Sequence, residues 1–171
     1  AIKVGTTKGY GVCSINGTGT SVSGIGKDGT TIQVGGIGDI TGDEAGGSFL
    51  ARAAVRLAFD ECSSFGGKTK VTEYVFKMYE IESKQDLSNA IVGKRVDSTY
   101  LIKALFSCAN EGDAEAIKVL RTAGENMGRS ISGCIAEINI KEPVQVILAG
   151  SVWAKATNFE MLDCFKETVL K

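Results

Sequence analysis

The sequence predicts a mixed α/β fold, and three observations lead to that prediction. Of the 22 glycines in the 171 residues, 14 lie among the first 47, where they separate short segments of strand composition. The middle of the chain carries apolar residues at the spacing of amphipathic helices. Residues 144–148 form an apolar run typical of a strand buried on both faces. We therefore expect three antiparallel strands, a helical block, and then a buried parallel strand and a helix.

The N-terminal third is predicted to be a meander of three strands. These strands are expected over residues 10–15, 21–26 and 30–34, with a hairpin turn at residues 27–29. Thr41 and Glu44 have the spacing of a capping box, which predicts a helix from Thr41 to about Asp60. The apolar side of this helix would carry Phe49, Leu50, Ala53, Ala54 and Leu57.

The middle and the C-terminal part are predicted to be mostly helical. Helices are expected over residues 71–80, 84–92 and 99–111, and Gly112 should break the pattern before a helix restarts at Asp113 and runs to Ile138. Pro143 precedes the predicted strand at 144–148. Asn158 can cap a last helix that carries Phe159, Leu162, Phe165 and Val169.

Composition and charge exclude several classes of function. A formal net charge of −1 and an isoelectric point near 5.6 give no basic surface for nucleic acid or an anionic membrane. No apolar run is long enough to cross a bilayer, so we expect a cytoplasmic protein. The absence of histidine excludes a histidine-containing zinc site or triad. The five cysteines are scattered singly, so we expect them to be reduced and mostly buried, with no metal site.

The segment Gly17-Thr18-Gly19-Thr20 is the first candidate site, because it lies in a turn between two predicted strands. Two glycines let backbone N–H groups point at one spot, and the threonine hydroxyls add donors, which suits a phosphate. The segment matches neither the P-loop pattern GxxxxGKS/T nor the dinucleotide fingerprint GxGxxG. From these residues alone, an ordinary glycine hairpin is the alternative.

Two further segments place glycines beside polar residues. A glycine loop at residues 35–38 precedes Asp43 and Glu44, so that carboxylates and glycine N–H groups could bind the same sugar. The structural alternative is that both carboxylates only cap the helix and complement its dipole. Gly150 and Ser151 follow the predicted C-terminal strand, where open α/β sheets bind ligands, although a plain turn would have the same sequence.

In their order and spacing, these three motifs resemble the N-acetylglucosamine kinases, sugar kinases of the actin/Hsp70-like ATPase superfamily that are grouped with the BadF/BadG/BcrA/BcrD ATPases. The resemblance runs from about Cys13 to Phe165 and includes the helix break at residues 109–113. It implies a ribonuclease-H-like, actin-like ATPase lobe. The ATP-binding residues it implies are Gly17, Thr18, Gly19, Thr20, Ser98, Gly150 and Ser151. The sugar-binding residues it implies are Gly36, Ile37, Gly38 and Asp43.

The resemblance also implies a role for each segment. Thr18 would contact the ATP phosphates, Gly150 and Ser151 the adenosine, and the helix start at Ser98 the adenine. Ile37 and Asp39 stand where the family usually has an aromatic residue and a histidine, and Ala45-Gly46 where it has Gly-Ser. The loss of the aromatic residue removes a stacking platform for a sugar ring and leaves the identity of the sugar open.

These kinases have two similar lobes, and the sequence contains the motifs of only the second. The first phosphate loop (DxGxT), the aspartate that organises Mg²⁺ and the general base belong to the other lobe. Residues 28–31, DGTT, resemble that loop but lie in the predicted hairpin. We therefore expect residues 1–171 to be a single C-terminal lobe, trimmed at its ends, that pairs with its own N-terminal lobe. Mg²⁺ would be held mainly by that other lobe. This lobe would contain no catalytic residue and would be inactive when isolated.

The resemblance predicts an ATP-dependent kinase for N-acetylglucosamine or a related amino sugar. Two alternatives stay open from the sequence. One is a BadF/BcrA-type ATPase that activates a partner dehydratase through an iron–sulfur cluster, and the other is a non-catalytic sensor of sugar or nucleotide. Whether the protein forms a homodimer is also left open.

Overall fold

A four-stranded mixed sheet joins the N-terminal and C-terminal parts of the chain. The computed structural model describes residues 1–93 and 95–171. The strands are β1 (Gly11–Asn16), β2 (Thr20–Ile25), β3 (Thr31–Gly35) and β4 (Val146–Ala149), in the spatial order β3-β2-β1-β4. The pairs β1–β2 and β2–β3 are antiparallel, whereas β1 and β4 are parallel. The predicted meander, followed by one parallel strand, is therefore confirmed.

The strand register brings three loops to the same end of the sheet. Asn16 pairs with Thr20, and Ser21 pairs with Gly35, so β1 ends where β2 begins and β3 ends. Ile15 pairs with Ala149, so β4 ends there as well. We call this end, formed by residues 16–20, 35–38 and 149–151, the glycine end of the sheet.

Eight helices accompany the sheet among the described residues. They are α1 (Ile2–Gly5), α2 (Gly47–Cys62), α3 (Val71–Tyr79), α4 (Lys84–Gly93), α5 (Ser98–Asn110), α6 (Ala114–Glu137), α7 (Ser151–Ala154) and α8 (Glu160–Val169), and a short 3-10 turn covers Asp39–Thr41. None of the described helices is long and apolar enough to cross a membrane.

The chain divides into two compact units. Unit 1 comprises residues 1–46 and 121–171 and contains the sheet, and unit 2 comprises residues 47–120. In unit 2, α2 packs against both α3 and α5. The side chains at the centre of that core are fully buried: Leu50, Ala54, Val71, Val75, Tyr79, Leu101 and Leu105. The Asp113 carboxylate caps α6 by accepting hydrogen bonds from the N–H groups of Glu115 (3.1 Å) and Ala116 (3.0 Å).

In unit 1, helix α6 packs against the sheet at Gly24 and against α8 at Gly124. A Cβ atom on Gly24 of β2 would lie 2.6 Å from Sγ of Cys134 in α6. A Cβ on Gly124 would lie 2.2 Å from the carbonyl oxygen of Met161, so α6 and α8 approach closely at this glycine. Arg121 of α6 forms ion pairs with Glu160 (3.0 Å) and Glu167 (2.7 Å), which fix the position of α8 along α6.

Most predicted elements are confirmed within one residue at each end, and two expectations are wrong. The capping box does not form, because α2 begins at Gly47 and the Thr41 hydroxyl donates to the carbonyl of Gly38 (3.0 Å) instead. Strand β4 is parallel to β1 as expected, but all of its residues are partly exposed because it is the outer strand. The sequence analysis did not predict α1, α7 or the 3-10 turn.

Candidate functional site

The turn between β1 and β2 contains two glycines that packing does not require. Gly17 and Gly19 both lack a positive φ, and a Cβ atom on either residue would meet no atom within 4 Å. The Gly17 N–H donates to the carbonyl of Gly19 (3.0 Å) and closes the turn. Thr18 is exposed, whereas Thr20 is buried. The turn therefore presents backbone and one hydroxyl to open space, as a site for a phosphate does.

Gly150 locks the C-terminal motif onto the end of β1. Its φ is 99°, a conformation that favours glycine, and a Cβ would lie 2.3 Å from the carbonyl oxygen of Asn16. The Asn16 amide is buried and donates to the carbonyl of Ala45 (3.1 Å). Asn16 Oδ1 accepts from the hydroxyl of Ser14 (3.0 Å), which in turn accepts from Nε1 of Trp153 (3.0 Å). Through these contacts, Asn16 connects the turn that follows it, the loop after β3 and the segment at Gly150.

The sequence analysis did not single out Asn16 and Ser14, whose side chains connect the segments of the candidate site. Both side chains are fully buried, although strand residues of this polarity are usually exposed. The signal was available in the alternation of β1, since Val12, Ser14 and Asn16 share one face of the strand. Polar groups on the buried face of a strand need internal partners, and these two find them in the neighbouring motifs.

The loop after β3 is organised by the carboxylate of Asp43. Its Oδ1 accepts from the N–H of Gly36 (2.9 Å), and its Oδ2 accepts from the N–H of Gly38 (2.7 Å). Asp43 is only 9% exposed. A Cβ on Gly46 would lie within 2.6–2.7 Å of the backbone of Thr18 and Gly19, so the end of this loop packs directly on the turn between β1 and β2, which we call the first turn.

The predicted sugar-binding residues therefore lie in one loop, but with different exposure. Gly36 and Ile37 are exposed, the latter at 75%, whereas Asp43 is buried. A second apolar side chain of the loop, Ile40, is 94% exposed. The loop combines a fixed carboxylate with apolar side chains that no other part of unit 1 covers.

The structure brings together most, but not all, of the predicted site residues. Residues 17–20, 36–38, 43, 150 and 151 all belong to unit 1, and Ser151 is the exposed first residue of α7. Ser98 lies in unit 2, where it is the first residue of α5. The helix there is capped by Asp97, whose Oδ1 accepts from the N–H of Tyr100 (3.0 Å). A nucleotide-binding role for Ser98 stays a prediction.

The donors of the glycine end suit an anion better than a metal cation. The turn between β1 and β2 offers backbone N–H and the hydroxyl of Thr18, and both oxygens of Asp43 already accept amide N–H groups. Hard cations such as Mg²⁺ prefer several oxygen ligands at one point. Within residues 1–93 and 95–171, no group of three or more His, Cys, Asp or Glu side chains is placed to hold a metal ion.

The chain is similar in sequence to one known kinase and in structure to a second protein. The chain is 26% identical over 156 residues to the N-acetylmuramic acid/N-acetylglucosamine kinase of Clostridium acetobutylicum, an alignment that covers 89% of the chain and 51% of that kinase. A solved structure from Chromobacterium violaceum, described as a candidate N-acetylglucosamine kinase, superposes with a TM-score of 0.70 at 22% identity and covers 94% of the chain and 54% of that protein.

These comparisons establish the fold and the family. The chain spans about half the length of the relatives it matches. The structural match confirms the predicted actin-like ATPase fold. The sequence profile of the BadF/BadG/BcrA/BcrD ATPase family matches residues 1–171, the whole chain. The chain belongs to the BadF/BadG/BcrA/BcrD ATPase family.

Proposed function

We propose that this chain is the phosphate- and sugar-binding part of an ATP-dependent kinase for an N-acetylated amino sugar. The observation that carries the proposal is the open space beside Gly17 and Gly19. An ordinary hairpin would use its glycines for positive φ or for tight packing, and these two residues serve neither purpose. Close approach of a ligand to the backbone would explain why glycine occupies these two positions.

In this proposal the first turn steadies the phosphates of ATP. The N–H group of Gly19 and the hydroxyl of Thr18 would donate to phosphate oxygens, whereas the Gly17 N–H closes the turn. Transfer of the γ-phosphoryl group to a sugar hydroxyl depends mainly on positioning and on stabilising charge, and these donors can contribute to both. Gly150 would hold the adenosine side close to the same point, because it packs directly on the end of β1.

The sugar would bind at the loop of Gly36, Ile37, Gly38 and Asp43. A carboxylate oxygen has two acceptor sites, so each oxygen of Asp43 can accept a sugar hydroxyl while it keeps its amide partner. The amide bonds fix the orientation of the carboxylate before a ligand arrives, which lowers the entropic cost of binding. Ile37 would offer an aliphatic contact to the sugar.

The remaining machinery would come from the other half of the protein. The chain contains no DxGxT phosphate loop, and the general base would lie in the other lobe. Mg²⁺ would neutralise charge on the phosphates when it is bound with ATP. Under this proposal, the chain functions together with its own N-terminal lobe, and catalysis requires both.

The alternative is an ATPase that drives a partner through a shared iron–sulfur cluster, and the cysteines do not support it. Cys13, Cys108, Cys134 and Cys164 are buried, and Cys62 is partly buried. Burial raises the pKa of the Cys108 thiol to about 11, with Asp113 and Glu111 adding to the effect. Burial also raises the pKa of Cys13, Cys62 and Cys134. Cluster ligands are thiolates, so these environments disfavour that role.

Sugar-dependent release of ADP tests the proposal. The full-length protein should release ADP from Mg·ATP when N-acetylglucosamine or N-acetylmuramic acid is added, and the 171-residue chain alone should not. A coupled spectrophotometric assay with and without sugar measures both. Sugar-independent ATP hydrolysis by the full-length protein would favour the partner-driving ATPase, and sugar-dependent turnover by the chain alone would contradict the division into two functional halves.

A further inference from the structure

Unit 1 contains an open polar cavity beside the candidate sugar loop. Its volume is about 410 Å³, within the range of small-molecule sites. The residues that line it are Thr41, Gly42, Glu44, Asn126, Arg129 and Ser130. None of them is among the residues assigned above to ATP or to the sugar, so the cavity has no role in the proposed reaction.

The cavity shares a wall with the candidate sugar site. Glu44 directly follows Asp43, so their Cα atoms are about 3.8 Å apart. The hydroxyl of Thr41 donates to the carbonyl of Gly38 (3.0 Å), which places both residues in the same short loop. A group a few atoms long on a sugar bound by Asp43 and Gly38 could therefore extend into the cavity.

The other wall is one face of helix α6. Asn126, Arg129 and Ser130 are spaced at i, i+3 and i+4 and therefore project from the same face. The amide of Asn126 donates to Oε2 (3.2 Å) and to the carbonyl (3.4 Å) of Glu44, which joins the loop to the helix. The cavity is thus built from two elements that are hydrogen-bonded to each other.

The two charged side chains of the cavity, Glu44 and Arg129, differ in whether they already have a hydrogen-bond partner. The Glu44 carboxylate accepts a hydrogen bond from Asn126. Arg129 is exposed and has no hydrogen bond or ion pair with any residue in the described part of the chain. A guanidinium carries five N–H donors in a planar fork that matches a carboxylate, and here that fork is available to a ligand.

We infer that this cavity receives a carboxylate on the sugar and that Arg129 selects acidic amino sugars over neutral ones. N-acetylmuramic acid, one of the two sugars in the name of the clostridial relative, is N-acetylglucosamine with a lactyl ether that ends in a carboxylate. The lactyl carboxylate would pair with Arg129. Glu44 would oppose the same anion. The inference rests on the proposed kinase function.

Because Arg129 and Glu44 carry opposite charges, substituting each of them should change the preference for the acidic sugar in opposite directions. Steady-state kinetics of the full-length protein would compare N-acetylmuramic acid with N-acetylglucosamine for wild type, Arg129→Gln, Arg129→Lys and Glu44→Gln. Arg129→Gln should lower kcat/KM for the acidic sugar roughly tenfold or more and change it less than about threefold for the neutral sugar. Arg129→Lys should be intermediate because it keeps the charge but loses the fork. Glu44→Gln should raise the ratio of acidic to neutral kcat/KM.

Lys118→Gln removes a cation from the same helix outside the cavity and should leave the ratio unchanged. Arg129 is exposed, and thermal unfolding of each variant verifies that the fold is kept. If Arg129→Gln leaves the ratio unchanged, or lowers both sugars equally, the inference is wrong while the kinase proposal stands. If the wild type phosphorylates neither sugar, both are wrong.

Discussion

At the scale of single residues, the Asp43 carboxylate holds together the loop that carries the candidate sugar site. It accepts the N–H groups of Gly36 and Gly38 with separate oxygens. Gly36 and Gly38 have positive φ values of 79° and 109°, so the backbone between them has no regular partner for its amides. The carboxylate supplies those partners, which makes Asp43 a structural residue as well as a candidate ligand.

Asp43→Asn should therefore destabilise the protein. Asparagine has one acceptor oxygen, and its NH₂ group would face one of the two loop N–H donors. Losing a hydrogen bond to a charged acceptor in a buried position should lower the free energy of unfolding by about 1–3 kcal/mol, measured by urea denaturation. Asp39→Asn, which changes an exposed carboxylate of the same loop, should cost less. Equal stability of Asp43→Asn and wild type would show that the carboxylate does not organise the loop.

At the scale of elements, one ionic cluster ties three segments at the opposite end of the sheet. The hydroxyl of Tyr10, just before β1, donates to Glu142, just before β4. Lys27, in the β2–β3 turn, forms an ion pair with Glu142 (2.9 Å), and Lys8 lies 3.4 Å from the same carboxylate. The ammonium groups of Lys8 and Lys27 also lie over the ring of Tyr10, at 5.6 Å and 5.5 Å from its centroid, respectively.

This cluster predicts a specific dependence of stability on pH. The hydrogen bond from Tyr10, followed by that from Lys27, lowers the pKa of Glu142 to about 2 in the folded protein, below its ordinary value of 4.5. The unfolded chain therefore binds a proton more readily between about pH 4.5 and pH 2, and the contribution of Glu142 to stability is lost as the pH falls through that window. The stability of Glu142→Gln, from denaturant titrations, should fall less across it than that of wild type.

Glu125→Gln serves as the control, because it removes one carboxylate of α6 that is not part of the cluster. A fall in stability that is as steep in Glu142→Gln as in wild type would mean that the cluster does not shift the pKa of Glu142.

The boundaries of the elements show which parts of the fold are determined by residues that are close in sequence. Strands β1 to β3 and helices α3 to α6 follow periodicity and turn residues, and their predicted limits hold within one residue. The start of α2 does not, because Thr41 and Glu44 fit a capping box by spacing but are used elsewhere. Glu44 bonds to Asn126, a partner far along the chain. A local pattern cannot reveal such a competing contact.

At the scale of the whole molecule, topology explains why the candidate site could be predicted from scattered motifs. Parallel β1 and β4 and antiparallel β2 and β3 bring the three glycine segments to one end of the sheet. The resemblance to a kinase family, carried by the order and spacing of those segments, implied this meeting. The buried links of Asn16 and Ser14, the amide contacts of Asp43 and the cavity beside Arg129 could not be predicted, because each depends on side chains that meet only after folding.

The central claim is that the turn of Gly17 and Gly19 binds the phosphates of ATP, and a pair of glycine variants tests it most directly. A Cβ on Gly19 or on Gly133 of α6 would meet no atom within 4 Å, so both Gly19→Ala and Gly133→Ala should fold. Gly133→Ala should gain about 0.5–1 kcal/mol of stability, because alanine is the better helix former, without a change in kinetics.

The measurement is kcat/KM for ATP in the sugar-dependent reaction of the full-length protein. Gly19→Ala should lower it roughly tenfold or more, equivalent to about 1.4 kcal/mol of lost binding, because the methyl group occupies the space where phosphate meets backbone. Its free energy of unfolding should stay within about 1 kcal/mol of wild type. If Gly19→Ala matches Gly133→Ala and wild type in kcat/KM for ATP, the turn is an ordinary hairpin and the phosphate site lies elsewhere.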